Sequence, residues 1–178
     1  GLFHMIELAR HIKRNELDLK IRVVGICNYP EERRQAEKDV AEGQLNKVIS
    51  FEGWDQYAPW AQIREAYLQA DVGLMLADPD PNYVISIPSK FYEYIQYGLP
   101  IIASNISLWK DFLDRAGCGW AVDPSDPGEV TSTLSRAERE GLLEATIGAA
   151  KNMAARYEWT QMEPILLDAY RQVGVNPL

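Results

Sequence analysis

Apolar and polar residues repeat along this chain with two periods, and the period changes from one segment to the next. Leu2, Met5, Ile6, Ala9 and Ile12 fall on one stripe at helical spacing, so residues 1–15 read as an amphipathic helix. Ile21, Val23 and Val24 follow as a β-branched strand that Gly25 ends. Residues 30–42 are polar and charged behind Pro30, the pattern of an exposed helix with proline in its first turn. Val48 to Phe51 reads as a second strand, closed by Glu52 and Gly53. A helix opens at Pro59 and carries Trp60, Ile63, Tyr67 and Leu68 at apolar positions. Asp71 to Leu76 is expected as a third strand, followed by the turn-rich run Asp78-Pro79-Asp80-Pro81-Asn82.

The second half continues the alternation and then becomes helical. A helix is expected from near Pro88 to Gly98, a strand from Leu99 to Ala103, a short helix at Trp109–Leu113 and a fifth strand from Gly119 to Val122. Asp126, Pro127 and Glu129 make a good helix start, and Thr160 with Glu163 reads as a second capping box. The helix opened there carries Ile165, Leu166, Ala169, Tyr170 and Val173 at helical spacing. Five strands alternating with helices predict an α/β domain with a doubly wound parallel sheet, spanning residues 1–178 as one unit. Such sheets bind ligands beyond the carboxyl ends of their strands. That directs attention to residues 25–29, 53–57, 77–90 and 104–108.

Composition narrows the functional classes. With 47% hydrophobic and 10% aromatic residues the chain can bury a core. A formal charge of -8 argues against nucleic acid and against direct contact with an anionic membrane. No apolar run approaches the ~20 residues that cross a bilayer, and the N-terminus lacks a leader pattern. Cys27 and Cys118 have no CxxC spacing and read as buried free thiols, which points to the cytoplasm. Asp78-Pro79-Asp80 spells a metal-binding DxD, but among prolines at a strand end it reads as a turn, and no divalent metal is expected. His4 and His11 are placed on the first helix, away from the crevice.

Chemistry concentrates between Asn82 and Ser104. A Pro88-Ser89 opening leaves free backbone amides at a helix start, an anion site favoured by the helix dipole. Lys90 in that first turn disfavours the helix but suits a phosphate. Glu93 lies one turn further on the same face, where a carboxylate can accept from the vicinal hydroxyls of a ribose. On spacing alone, the ordinary reading of Lys90 and Glu93 is an exposed ion pair.

The segment Ser86-Ile87-Pro88-Ser89-Lys90-Phe91-Tyr92-Glu93-Tyr94, followed by Gly98-Leu99-Pro100-Ile101-Ile102-Ala103-Ser104, resembles the signature of GT-B glycosyltransferases, specifically the retaining family 4, glycosyl transferases group 1. Ala70 to Leu74, Phe51 to Gly53, Gly117 to Pro124 and the segment from Tyr157 also look like that family. The resemblance implies the C-terminal, Rossmann-like domain that binds a UDP-, GDP- or ADP-sugar, with no further cofactor. It implies that Ser89 and Lys90 lie near the diphosphate, that Glu93 holds the ribose and that Ser86 belongs to the nucleotide-sugar site. It places Gly25 and Ile26, with Gly53 and Trp54, at the walls around the base. The acceptor, a glycan or lipid-linked saccharide of surface-polysaccharide, lipopolysaccharide or glycolipid synthesis, would be met by an N-terminal domain. Such a protein is expected in the cytoplasm, peripheral at the inner membrane face.

Two departures qualify the resemblance. The first glutamate of the family's paired-glutamate motif falls at Ile85, so donor-sugar contact is in doubt and no catalytic residue is assigned. Gly1 aligns just after the family's first strand of this domain, so that central strand, its basic residues and the N-terminal domain are absent here. The chain is therefore expected to be inactive by itself. A non-catalytic binding or assembly module of the same fold is the alternative, and a sugar-nucleotide epimerase fits the Pro-Ser-Lys pattern poorly.

Overall fold

The computed structural model describes residues 1–174. In chain order the elements are α1 (Leu2–Arg14), β1 (Ile21–Val24), α2 (Pro30–Glu42), β2 (Ile49–Glu52), α3 (Trp60–Gln69), β3 (Gly73–Met75) and α4 (Pro81–Val84). They continue as α5 (Ser89–Gln96), β4 (Ile101–Ser104), α6 (Ser107–Ala116), β5 (Gly119–Val122), α7 (Pro127–Arg139), α8 (Leu142–Arg156) and α9 (Trp159–Gln172).

Every strand pairing is parallel, but the strands form two sheets, where one was expected. β1 pairs with β2, with Ile21 opposite Ile49 and Val24 opposite Glu52. The other sheet runs β3-β4-β5, with Gly73 opposite Ile101 and Ile101 opposite Gly119. Among the described residues no backbone pairing joins β1 to β3. These are the two strands between which the resemblance expects a further strand, and Val23 of β1 and Leu74 of β3 pack against the same core.

The alternation along β4 shows how both faces are covered. Ile102 points into one core, with Val122, Leu76, Ile6, Ala9 and Ile12, while Ile101 and Ala103 point into the other, with Phe91, Ile95, Trp109 and Leu113. The first core also takes Ile21 and Ile49 from the smaller sheet, so the apolar stripe of α1 underlies both sheets. α5, α6 and α8 close the opposite face of the larger sheet. Helices on both faces of parallel strands are the doubly wound arrangement.

Where β3 stops pairing, buried Ser104 takes over. Its hydroxyl donates to the Ala77 carbonyl (2.7 Å) and accepts from the Ala77 amide (2.8 Å), holding the two strand ends in register.

Two local expectations are corrected. The run at 78–82 leads into the short helix α4, whose first turn Asp80 caps by accepting from the Asn82 amide. A four-residue helix is too short to carry an apolar period. Thr160 is not a cap, because α9 begins at Trp159 behind Glu158 and Thr160 already lies inside it. No residue of α9 is buried, and Ile165 and Val173 are exposed. No described helix is long and apolar enough to cross a membrane.

At α7 the expected cap is present. Asp126 accepts from the Gly128 and Glu129 amides, and the Glu129 carboxylate accepts from the Asp123 amide at 2.8 Å. Asp126→Ala is expected to cost about 1 kcal/mol, measured by denaturant unfolding.

Candidate functional site

α5 starts without a side-chain cap, behind Pro88. Among the described residues no protein acceptor meets the amides of Ser89 and Lys90, whereas the Phe91 amide turns back to the Pro88 carbonyl at 3.0 Å. Two aligned donors at the positive end of the helix dipole therefore remain available to an anion. Ser89 is exposed and Lys90 half-buried beside them.

Lys90 and Glu93 meet, and a third residue joins them. Lys90 Nζ donates to Glu93 Oε2 at 2.8 Å and to the Tyr67 hydroxyl at 3.1 Å. The Tyr67 hydroxyl in turn donates to the same Glu93 oxygen at 2.6 Å. Tyr67 comes from α3 and is only 9% exposed. Its ring packs on Tyr97 and edge-on against Tyr94, with centroids 5.1 and 5.7 Å away. Gly73 makes room for that wall, because a Cβ there would lie 2.5 Å from the Tyr94 ring. Sequence reasoning placed Tyr67 on an apolar stripe and missed its polar role. The available signal was chemical: a tyrosine at a core-facing position needs a partner for its hydroxyl.

The electrostatics keep the carboxylate charged and the phenol neutral. Burial pushes the Glu93 pKa up, but hydrogen bonds from Lys90 and Tyr67, with the Lys90 charge, outweigh it and hold the carboxyl below its ordinary value. Burial, then the hydrogen bond to Glu93, push the Tyr67 phenol far above its ordinary value.

The remaining expected site residues are placed as follows. Ser86 is exposed; its hydroxyl donates to the Asn82 carbonyl, and its carbonyl accepts from the Trp109 indole at 2.8 Å. Ile85 is 78% exposed and offers no polar group. Gly25 ends β1, its amide bonded to the Glu52 carbonyl, and Ile26 beside it is half-buried. Gly53 turns with φ +64°, close against Ala58. The Cys27 amide donates to the Trp54 carbonyl at 3.1 Å, tying together the loops after β1 and β2. The Trp54 indole is engaged elsewhere, stacked on Phe51 (4.3 Å between centroids) and donating to Glu37 at 3.0 Å.

Beyond the ends of β3, β4 and β5 lies an open cleft of about 530 Å³, lined by Ala77, Asp78, Ser104, Asn105, Asp123 and Ser125 among others. His4 belongs to this edge and not to a remote face, since its Nε2 meets Asp78 at 2.9 Å. α1 starts beside the end of β3, a placement that the sequence alone did not reveal.

Residues 1–153 match the family described as glycosyl transferases group 1. The chain belongs to that family. WcaL of Salmonella typhimurium, named as a colanic acid biosynthesis glycosyltransferase, is 24% identical over 160 residues, covering 88% of this chain and 38% of its own length. A glycosyltransferase from Rickettsia africae superposes with a TM-score of 0.76 at 16% identity, covering 98% of this chain and 45% of its own. Sucrose-phosphate synthase from Thermosynechococcus elongatus gives a TM-score of 0.74 at 19% identity, over 97% and 42%. WaaG, a glycosyltransferase involved in lipopolysaccharide biosynthesis, gives 0.62 at 19%, over 89% and 40%. The chain thus has the fold of part of these glycosyltransferases and spans less than half the length of each.

A pH prediction follows from the Glu93 shift. A carboxyl whose folded pKa lies below its unfolded value adds stability that is fully present above the unfolded value. The contribution is lost as the pH falls through the folded pKa. The native chain should therefore be more stable than Glu93→Gln at neutral pH, and the difference should vanish as pH falls well below about 4. Thermal unfolding of both chains between neutral and acid pH measures it.

Proposed function

We propose that this chain is the donor-binding portion of a retaining glycosyltransferase and holds a nucleoside-diphosphate sugar at the start of α5. The observation that carries the reading is the pair of unpartnered Ser89 and Lys90 amides, beside the Lys90–Glu93–Tyr67 cluster, in a member of this family. The amides and the Lys90 ammonium would take the diphosphate, and Glu93 the ribose hydroxyls. Gly25, Ile26 and the Gly53 turn would border the base, with Trp54 contributing its backbone more than its ring.

The chemistry asked of these groups is positioning and charge neutralisation. As the glycosidic bond to the donor breaks, negative charge grows on the departing diphosphate, and fixed amides and an ammonium stabilise it without reorganising. Ile85 has no acceptor for a sugar hydroxyl, so selection among donor sugars falls to other groups. A glycan or lipid-linked acceptor of surface-polysaccharide or lipopolysaccharide synthesis would be recognised by residues outside this chain, at the cytoplasmic face of the membrane. That the relatives extend well beyond the matched region supports this division of labour.

Titration calorimetry with UDP, GDP, ADP and their sugar conjugates tests the reading. One nucleotide should bind saturably, and Lys90→Ala and Glu93→Ala should each weaken it about tenfold or more, the loss of a charge-assisted hydrogen bond. Unchanged affinity in both variants contradicts the proposal.

A further inference from the structure

We infer that Tyr67 is a positioning residue for the nucleotide: its hydroxyl keeps Glu93 oriented toward the ribose when Lys90 exchanges the carboxylate for the donor diphosphate. The inference rests on the donor-site reading above and adds to it a residue on a different helix.

The geometry supplies the reason. Two donors to Glu93, the Lys90 ammonium and the Tyr67 phenol, converge on Oε2. The Ser89 hydroxyl adds a weaker hydrogen bond to the same carboxylate. A carboxylate has about four acceptor sites, and the two on Oε2 are taken by Lys90 and Tyr67, so vicinal hydroxyls would be met mainly by Oε1. Lys90 has three N–H donors, two of them already on Glu93 and Tyr67, and each one turned to a diphosphate is lost to these partners. An ammonium drawn onto a diphosphate leaves Glu93, and a part-buried carboxylate without a partner is costly. The Tyr67 hydroxyl, already 2.6 Å from Oε2, is the buried donor that remains, with the exposed Ser89 hydroxyl a weaker second.

Three features suit Tyr67 to that task. Its phenol stays protonated throughout the physiological range, so it always has a hydrogen to give. Its ring is fixed by Tyr94 and Tyr97, and Trp60 lies edge-on at 6.4 Å between centroids, which removes the rotational freedom of an exposed tyrosine. It is anchored on α3, so it constrains Glu93 from outside α5. The same ring also lies 5.9 Å from Lys90 Nζ, close enough for the ammonium to interact with its face.

The test measures how strongly the chain prefers a ribonucleotide to its 2′-deoxy counterpart. The native chain, Tyr67→Phe, Glu93→Gln and the double variant are titrated with UDP, GDP, ADP and the corresponding 2′-deoxynucleoside diphosphates. For the nucleotide bound, Tyr67→Phe should narrow the ribo-to-deoxy affinity ratio about tenfold, the value of one charge-assisted hydrogen bond. The double variant should narrow it no further than Glu93→Gln does. A role in packing alone would weaken both nucleotides equally and leave the ratio intact, which overturns the inference. So does a Tyr67→Phe chain that fails to fold, since the hydroxyl is then a structural group. If the native chain binds none of the nucleotides, or Glu93→Gln keeps the native ratio, the donor-site reading itself falls and takes the Tyr67 role with it. A ratio lost in Glu93→Gln but kept in Tyr67→Phe overturns the Tyr67 role alone.

Discussion

Two parallel sheets, with no backbone hydrogen bond between them among the described residues, share a core with the apolar stripe of α1. Ile6, Ala9 and Ile12 are fully buried, and they share one core with Ile21 and Ile49 of one sheet, Ile102 and Val122 of the other, and Leu76 just past β3. A fully buried aliphatic side chain contributes roughly 1.5–3 kcal/mol, more than the net ~1 kcal/mol of a typical backbone hydrogen bond. Packing is therefore sufficient to align the two sets of strand ends. The site depends on that alignment: α3 follows the smaller sheet and α5 the larger, and Tyr67 meets Glu93 only while both are held in place.

The cluster at α5 contributes little stability, which suits the binding role proposed for it. A part-exposed Lys90–Glu93 pair is worth at most about 1 kcal/mol, and a lysine in the first turn opposes the helix dipole. In a chain with formal charge -8, an ammonium beside two unpartnered amides makes a local exception to the acidic surface. Tyr67 adds a neutral donor, so Glu93 does not depend on Lys90 alone.

Much of this was legible in the sequence where a local pattern carries the information. The β-branched run at Ile21–Val24, the Pro30 and Asp126 helix starts, and the Gly119–Val122 strand lie where periodicity and capping chemistry put them. Thr160 shows the limit of a cap motif, because a four-residue pattern cannot reveal that the cap lies two residues earlier, at Glu158. The Lys90–Glu93 contact was implied by an i, i+3 spacing, but its meaning came from family resemblance. What stayed hidden was non-local. The partner of the Tyr67 hydroxyl is 26 residues away, and the partner of His4 is 74 residues away. The division into two sheets depends on which strands fail to pair, and no strand's own sequence records that.

Amide NMR of the native chain titrated with the nucleoside diphosphates tests the central claim most directly, because it observes the proposed donors themselves. The account predicts saturable shifts of the Ser89 and Lys90 amides, with the Glu93 and Tyr67 signals moving at the same midpoint. Saturable binding that leaves the Ser89 and Lys90 amides unmoved, or no binding at all, would contradict it.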